Sequence, residues 1–266
     1  MRVVPEMARE GMAEPTIIDE HLVCLNAPAT HEAEQYRTLA HVVEIMHKDS
    51  GLHVLAVTSP TAGDGKTTTA INLAGALAQS PEARVILVCA DLRKPSVIEH
   101  LGMEYPHRAG LSTAIQNPKY TLTQVAEQLQ RNLSVLSAGP CPDNPYEVLK
   151  SPRFGELLQE ARQHFDYIVV DTPPLLLVPD CQAIGKWVDG FLLVVAAHKT
   201  QRRLVEEALN LMDSAKLVGL VFNYDDCALP GYYDYYYLSG QPPALHGQNW
   251  WRRLAATLGR IFSRWT

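Results

Sequence analysis

The sequence predicts an α/β protein with a single doubly wound, mostly parallel sheet, and three observations support this prediction. Short segments that are apolar throughout alternate with segments of helical length and pattern. Strands without polar alternation are typical of a parallel sheet that is buried on both faces. A glycine-containing turn also joins the first strand to the helix after it, at the edge where doubly wound sheets bind ligands.

Six strands and four helices are predicted, in a regular order. The apolar runs that predict strands are 53–58, 84–89, 133–137, 167–171, 191–196 and 217–223. Helical periodicity predicts helices at 32–46, 67–79, 154–164 and 202–214. Because strands and helices alternate along most of the chain, one sheet with crossover helices is expected.

Changes in composition divide the chain into four predicted segments. Residues 1–30 contain three prolines and no sustained period, which indicates an irregular N-terminal arm. The α/β domain is assigned to 31–226. A tyrosine cluster with a linker follows at 227–248, and a basic amphipathic helix is predicted at 249–266.

Composition excludes some classes of function. A formal charge of -6 lacks the basic footprint of a nucleic-acid-binding protein. The five cysteines show no metal-binding spacing, as is usual for reduced thiols in the cytoplasm. The first residues of the sequence lack the apolar stretch of a secretory leader, and no apolar run reaches the roughly 18 residues of a spanning helix. We therefore expect a cytoplasmic protein whose link to a membrane is indirect.

The segment 57–68 predicts a phosphate-binding loop, because it joins a strand to a helix and contains Gly63 and Gly65 before Lys66 and Thr67. The glycines let backbone amides turn towards phosphate oxygens, and Lys66 would reach the β- and γ-phosphates of ATP. The Thr67 hydroxyl is the kind of oxygen that Mg²⁺ prefers. Pro60 stands where the usual motif has its first glycine, so the opening turn must differ. The alternative is an ordinary turn before a helix. The candidate ATP-binding residues are Ala62, Gly63, Asp64, Gly65, Lys66, Thr67, Thr68 and Asn223.

Two carboxylates follow apolar strands and are expected at the same sheet edge. Asp171 ends the strand 167–171 and would hold magnesium opposite Thr67. Asp91 follows the strand 84–89 and could orient a nucleophile or a metal-bound water. Either residue could instead be an ordinary turn aspartate. The candidate catalytic residues are Lys66, Asp91, Asp171 and Arg93, and the candidate metal ligands are Thr67, Asp171 and Asp91.

With these elements in order, the chain resembles the bacterial tyrosine kinases of capsule and exopolysaccharide synthesis, which are P-loop ATPases related to the partition and division-site ATPases. The resemblance spans roughly residues 21–237 and implies an ATP- and Mg²⁺-dependent autokinase, a membrane-anchored co-polymerase as activator, and a ring-shaped homo-oligomer. The segments that carry it are 34–39, 59–68, 90–95, 110–112, 138–149, 171–174 and Asp180.

On this resemblance a cluster of tail tyrosines accepts the phosphates. Each phosphate adds about -1.5 to -2 charges, so several on neighbouring residues would repel one another and an acidic crevice. The alternative is that the tyrosines pack as an aromatic edge or loop. The candidate acceptors are Tyr232, Tyr233, Tyr235, Tyr236 and Tyr237.

Two positions depart from the family pattern. Cys89 stands where the family has a carboxylate two residues before Asp91, and a thiol is a poor substitute near magnesium. Ala40 stands where the family has a second arginine after Glu34 and Arg37, in the helix that assembles the ring. Alternatives to the kinase are therefore a nucleotide-binding scaffold with weak or no kinase activity and a partition-type ATPase.

The segment 249–266 places apolar residues, including three tryptophans, largely on one helical face and arginines mostly elsewhere. This composition is typical of an interfacial helix. This helix could lie on the anionic inner face of the cell membrane, dock on a partner, or pack on its own domain.

Overall fold

The computed structural model describes residues 18–103 and 109–225. Its centre is a seven-stranded sheet with the order β3-β4-β2-β5-β1-β6-β7. The strands are β1 Val54–Thr58, β2 Val85–Cys89, β3 Glu127–Gln130, β4 Leu133–Leu136, β5 Tyr167–Asp171, β6 Gly190–Ala196 and β7 Leu217–Asn223. Every residue of β1, β2, β5 and β6 is buried, so both faces of the central sheet are covered.

Five of the six strand pairings are parallel, which confirms the predicted fold class. The exception is β3, which pairs antiparallel with β4 at one edge of the sheet. No sequence pattern predicts β3, because its four residues, EQLQ, have an exposed polar face and no apolar run.

Ten α-helices lie in the described ranges, and the four longest correspond to the four helices predicted within 31–226. The helix His31–Ser50 is longer than predicted at both ends. The six helices of four to six residues were not predicted, because so few residues show no period. The helices are α1 Val23–Asn26, α2 His31–Ser50, α3 Lys66–Leu77, α4 Val97–His100, α5 Leu111–Gln116, α6 Leu122–Val125, α7 Pro145–Lys150, α8 Pro152–His164, α9 Asp180–Ile184 and α10 Arg202–Leu211, with a 3-10 helix Ser214–Lys216.

Local signals fix both ends of α2. The Thr30 hydroxyl accepts a hydrogen bond from the Ala33 amide at 3.3 Å, which caps the helix. At the other end Gly51 adopts φ 70°, the left-handed conformation that commonly terminates helices. Between them Ala40 is only 4% exposed, so position 40 belongs to the core.

Residues 18–30, which the sequence analysis placed in an irregular arm, include α1 and pack on α3. Leu22 is completely buried. The Asn72 side chain of α3 donates to the His21 carbonyl at 2.9 Å and accepts from the Cys24 amide at 3.0 Å. A Cβ on Gly75 would approach a Leu25 methyl to 2.9 Å. This part of the arm is therefore closely fitted to the helix that follows the phosphate-binding loop.

Within the described ranges, the structure contains no helix with the length and apolarity needed to cross a bilayer. The tyrosine cluster and the predicted basic helix at 249–266 lie outside the described residues, so those two assignments stay predictions.

Candidate active site

Two positions of the loop 59–65 have a backbone conformation that only glycine adopts readily. Gly63 and Gly65 have φ 79° and 94°, both left-handed. A Cβ on Gly65 would lie 1.9 Å from the amide nitrogen of Asn223, so the second glycine is also required sterically. Gly65 caps α3, and the first-turn amides of a helix carry partial positive charge. The loop therefore has the backbone of a phosphate cradle.

A buried carboxylate holds this loop in shape despite Pro60. Asp64 is completely buried and accepts from the Thr61 amide and the Thr200 hydroxyl, each at 2.8 Å. The backbone carbonyl of Asp64 accepts a hydrogen bond from the side-chain amide of Asn223 at 3.1 Å. The Asp64 side chain thus shapes the loop, whereas the sequence analysis had grouped it with the ATP-binding residues without a separate role.

A second tether reaches the loop from the segment after β6. The Lys199 ammonium donates to the Gly63 carbonyl at 3.1 Å. With Thr200 and Asn223, the ends of β6 and β7 therefore support the cradle from one side. Lys199 and Thr200 were not among the predicted site residues, because they follow an ordinary buried strand and belong to no motif.

Asp171 and Thr67 meet at the carboxyl end of the sheet. The Thr67 hydroxyl lies 3.1 and 3.0 Å from the two oxygens of Asp171. Asp171 is completely buried. Burial raises the pKa of Asp171 to about 6, although the nearby Lys66 charge opposes this rise. This carboxylate is held in a site where a cation is needed to keep it ionised.

Lys66 supplies a cation at this point. Its ammonium lies 3.3 Å from Asp91 and 3.7 Å from Asp171, and it donates to the Thr67 hydroxyl at 3.0 Å. Burial disfavours the charged form, but Asp171 and Asp91 outweigh burial and raise the pKa of Lys66 above its usual value. Lys66 is therefore charged at neutral pH and contacts all three predicted metal ligands.

Asp91 and Arg93 lie on one short loop after β2. Asp91 is 3% exposed, and one of its oxygens accepts from the Lys94 amide at 3.0 Å while the other faces Lys66. Arg93 instead makes two hydrogen bonds with Asp180. Of the predicted catalytic residues, Lys66, Asp91 and Asp171 are thus together, and Arg93 is held beside them by a residue for which no role was predicted.

Cys89 lies directly beside Asp171 in the register of β2 and β5. It is completely buried. Burial, with Asp171 and Asp91 nearby, raises the pKa of the Cys89 thiol far above its usual value, so the sulfur stays protonated. A protonated thiol is not a metal ligand. Position 89 is therefore neutral where the family pattern has a negative charge.

The oxygens of Thr67, Asp91 and Asp171 fit a magnesium ion that is also bound by phosphate groups. Residues 18–103 and 109–225 contain no group of three or more His, Cys, Asp or Glu side chains arranged to hold a metal alone. Magnesium usually takes one or two carboxylates together with substrate phosphates, so Thr67, Asp91 and Asp171 are donors that could hold a divalent metal bound with a nucleotide.

The other predicted residues are placed as follows. Ala62 and Gly63 are exposed at the mouth of the loop, and Thr68 is half-buried in the first turn of α3. The five candidate acceptor tyrosines lie outside the described residues.

Comparison with known proteins agrees with this geometry. A ParA family model, described as NUBPL iron-transfer P-loop NTPase, matches residues 51–241. Tyrosine-protein kinase YwqD of Bacillus subtilis (strain 168) is 33% identical over 221 residues, which cover 82% of this chain and 92% of YwqD.

Two solved structures have the same fold and a sequence identity of 28%. The chimerical protein CapA2B2 superposes with a TM-score of 0.71, covering 78% of this chain and 92% of that chain. The kinase domain of the Escherichia coli tyrosine kinase ETK superposes with a TM-score of 0.68, covering 78% of this chain and 82% of that chain. The fold and the loop at 59–65 identify a nucleotide-binding protein, and the chain belongs to the bacterial tyrosine kinases, a family of ParA-related P-loop NTPases.

Proposed function

We propose that this chain transfers the γ-phosphate of ATP to tyrosine, with magnesium, and that it phosphorylates its own tail. The observation that supports this most is the convergence of Lys66, Thr67, Asp91 and Asp171 within hydrogen-bonding or ion-pairing distance at one sheet edge. The similarity to named tyrosine kinases gives the reaction class. The geometry supplies the phosphate-binding and metal-binding groups which that reaction needs.

The residues have separate roles in this proposal. The loop amides and Lys66 bind the β- and γ-phosphates, and Ala62, Asp64 and Thr68 contribute through the loop and the start of α3. Thr67 and Asp171 hold magnesium, which neutralises charge on the phosphate oxygens when it is bound. Asn223 lies beside Gly65 and contacts the nucleotide from the end of β7.

Asp91 orients the nucleophile. Its carboxylate accepts the hydrogen bond from the tyrosine hydroxyl and takes the proton as the tyrosine oxygen bonds to the γ-phosphorus. The bond between that phosphorus and the β,γ-bridging oxygen breaks, and ADP leaves. The products are phosphotyrosine, ADP and a proton that passes from Asp91 to solvent.

The proposed acceptors are Tyr232, Tyr233, Tyr235, Tyr236 and Tyr237. Five tyrosines within six residues give a dense target that a neighbouring subunit can present. Accumulated phosphate charge would expel the tail from a site lined by Asp91 and Asp171. Phosphorylation would therefore be self-limiting.

The proposed setting follows from family membership. The chain acts in the cytoplasm, at the inner face of the membrane, where a membrane-anchored polysaccharide co-polymerase activates it and where it regulates capsule or exopolysaccharide assembly. It acts as a homo-oligomer, and the segment 249–266 gives it a further contact with the membrane. Nucleic acid is not a proposed partner.

Mass spectrometry of the purified chain after incubation with ATP and magnesium tests the proposal. Phosphotyrosine at 232–237 that disappears in Lys66→Met is the expected result. Tight ATP binding without phosphotyrosine would instead favour a scaffold, the alternative that the neutral Cys89 supports. Release of phosphate to water alone would favour a partition-type ATPase. A variant with phenylalanine at all five tail tyrosines controls for phosphorylation elsewhere in the chain.

A further inference from the structure

Arg93 and Asp180 form a two-bonded ion pair at the edge of the candidate site. The Arg93 Nε donates to one Asp180 oxygen at 2.7 Å, and a terminal nitrogen donates to the other at 3.0 Å. The Asp180 side chain is completely buried, whereas 37% of the Arg93 side chain is exposed. A buried carboxylate therefore holds, by two hydrogen bonds, an arginine side chain that is partly exposed.

The pair joins the two loops that leave the site. Arg93 follows Asp91 by two residues in the loop after β2, and Asp180 begins α9, which the chain reaches after leaving Asp171 and β5. Since β2 and β5 are parallel neighbours in the sheet, the pair bridges the segments that follow them at its carboxyl edge. It lies on the side of the sheet where the phosphates are proposed to bind.

A guanidinium has five N–H groups in a fixed plane, and Asp180 takes two of them. Three N–H groups are not used by Asp180, and the Arg93 side chain is 37% exposed. Fixing one edge of the plane also fixes the direction of the other edge, which a flexible lysine could not achieve. Arginine held in this way suits charge that develops on phosphoryl oxygens during transfer.

A buried carboxylate is costly unless it is paired, so its presence needs an explanation. One explanation is that the pair only supports the fold. Another arginine–aspartate pair in the chain allows a comparison. Arg84 and Asp166 make a similar pair at the amino end of β2, where their side chains are 57% and 32% exposed. That pair lies away from the site and does not use a buried acid.

We propose that Asp180 is a positioning residue, which holds Arg93 so that its remaining N–H groups face the γ-phosphate during transfer. This inference rests on the proposed phosphoryl transfer and adds Asp180 to the residues on which the reaction depends. Asp180 itself contacts neither nucleotide nor tyrosine. Its effect passes entirely through Arg93.

The test compares Arg93→Ala, Asp180→Asn and the double variant in the full chain, with kcat and KM for ATP measured separately. Each single variant should lower kcat about 10- to 100-fold with a smaller change in KM. The double variant should be no slower than Arg93→Ala, because Asp180 has no other route to the reaction. Additive losses would overturn the inference.

Chemical rescue separates positioning from support of the fold. Guanidinium chloride at millimolar concentration is far below denaturing levels. It should raise the rate of Arg93→Ala about fivefold or more, because the free cation binds the Asp180 carboxylate. The double variant should show no such rescue. Rescue of equal size in both would overturn the inference.

Three controls complete the test. Arg84→Ala should keep the wild-type rate and should not respond to guanidinium. Arg93→Lys keeps a charge beside Asp180 and preserves the fold if Arg93→Ala unfolds; a wild-type rate in Arg93→Lys would overturn the inference. Phosphotyrosine and free phosphate are both measured, because they separate the two proposals. Wild-type protein that forms no phosphotyrosine would refute the proposed function. If the wild type still releases phosphate from ATP, additive losses of that release in the two single variants would refute the role of Asp180.

Discussion

The Thr67 hydroxyl lies within hydrogen-bonding distance of both oxygens of Asp171, at 3.1 and 3.0 Å. This contact joins the first turn of α3 to the end of β5, two elements that are 104 residues apart in sequence. The same hydroxyl accepts from Lys66. Position 67 is thus the point where the helix, the strand and the phosphate-binding lysine are connected.

Replacing Thr67 with valine should remove the metal-dependent part of nucleotide binding. A hydrogen bond to a charged group contributes about 1.5–3 kcal/mol, so an affinity loss of roughly 10- to 100-fold is expected. Calorimetric titration of ATP with and without magnesium measures it. Thr67→Ser keeps the hydroxyl and should bind nearly as wild type; equal losses in both variants would contradict the role of the hydroxyl.

Replacing Cys89 with aspartate should increase the kinase rate and lower the stability of the ligand-free protein. A third carboxylate beside Asp91 and Asp171 would face the single charge of Lys66, so repulsion would lower Tm until magnesium and nucleotide are added. Autophosphorylation rates and thermal unfolding with and without ligand are the measurements. Cys89→Ser, which adds no charge, should change neither; a rate for Cys89→Asp equal to wild type would show that the thiol does not limit transfer.

Replacing Gly65 with alanine should abolish tight nucleotide binding, whereas Gly51→Ala should not affect it. Both glycines have positive φ, so each variant should lose about 1–3 kcal/mol of stability from backbone strain. At Gly51 a Cβ would meet nothing within 4 Å, but at Gly65 it would displace the Asn223 amide. Displacement breaks the Asn223 bond to the Asp64 carbonyl and deforms the loop. Chemical denaturation and ATP titration distinguish strain from this local effect.

Introducing arginine at position 40 should destabilise the domain rather than build a ring contact. Ala40 is 4% exposed, so the new charge would be buried without a partner at a cost of several kcal/mol. His41→Arg is the matched control, since the His41 side chain is 70% exposed and its change should stay within about 0.5 kcal/mol. Urea unfolding measures both. A stable Ala40→Arg protein with increased oligomer mass would contradict the expectation.

His53 should lower the free energy of unfolding as pH falls below about 7, whereas Asp171, whose pKa is raised to about 6, should act in the opposite direction. Burial, with His47 and Arg162 nearby, lowers the pKa of His53 below its ordinary value of 6.5, and Asp189 and Asp166 only partly oppose this. Below that value the unfolded chain binds the proton more readily than the folded chain does, so acidification favours unfolding. Urea unfolding at about pH 7.5 and about pH 5.5 measures the change in stability, and acidification should be less unfavourable to His53→Gln than to the wild type. An identical change in both proteins would exclude a contribution from His53.

The sequence predicted the strands that form continuous apolar runs. The strands at 167–171 and 217–223 have their observed bounds, because an apolar run flanked by polar turns leaves few alternatives. The approach of Thr67 to Asp171 was also predictable, since parallel strands end at one edge of the sheet. Tertiary supports were not predictable. Lys199 and Thr200 reach the loop from 136 residues away, and no local pattern marks them.

Asp180 shows the same limit from another direction. Its position in a family motif was visible in the sequence, but its partner was not, because an ion pair between two loops has no fixed spacing. The departure at Pro60 had the opposite outcome. The sequence showed that the opening turn must differ, and the structure supplies the Asp64 carboxylate as the means.

The fit of Leu22, Cys24 and Leu25 against α3 bears on how this protein should be shortened for study. A truncation that began at residue 31 would remove the completely buried Leu22. It would also remove His21 and Cys24, whose backbone groups bond to Asn72 in the helix that starts at Lys66. Such a fragment would expose apolar surface of α3 and weaken the packing that holds this helix beside the phosphate-binding loop. Expression designs that start at or before residue 18 retain this packing.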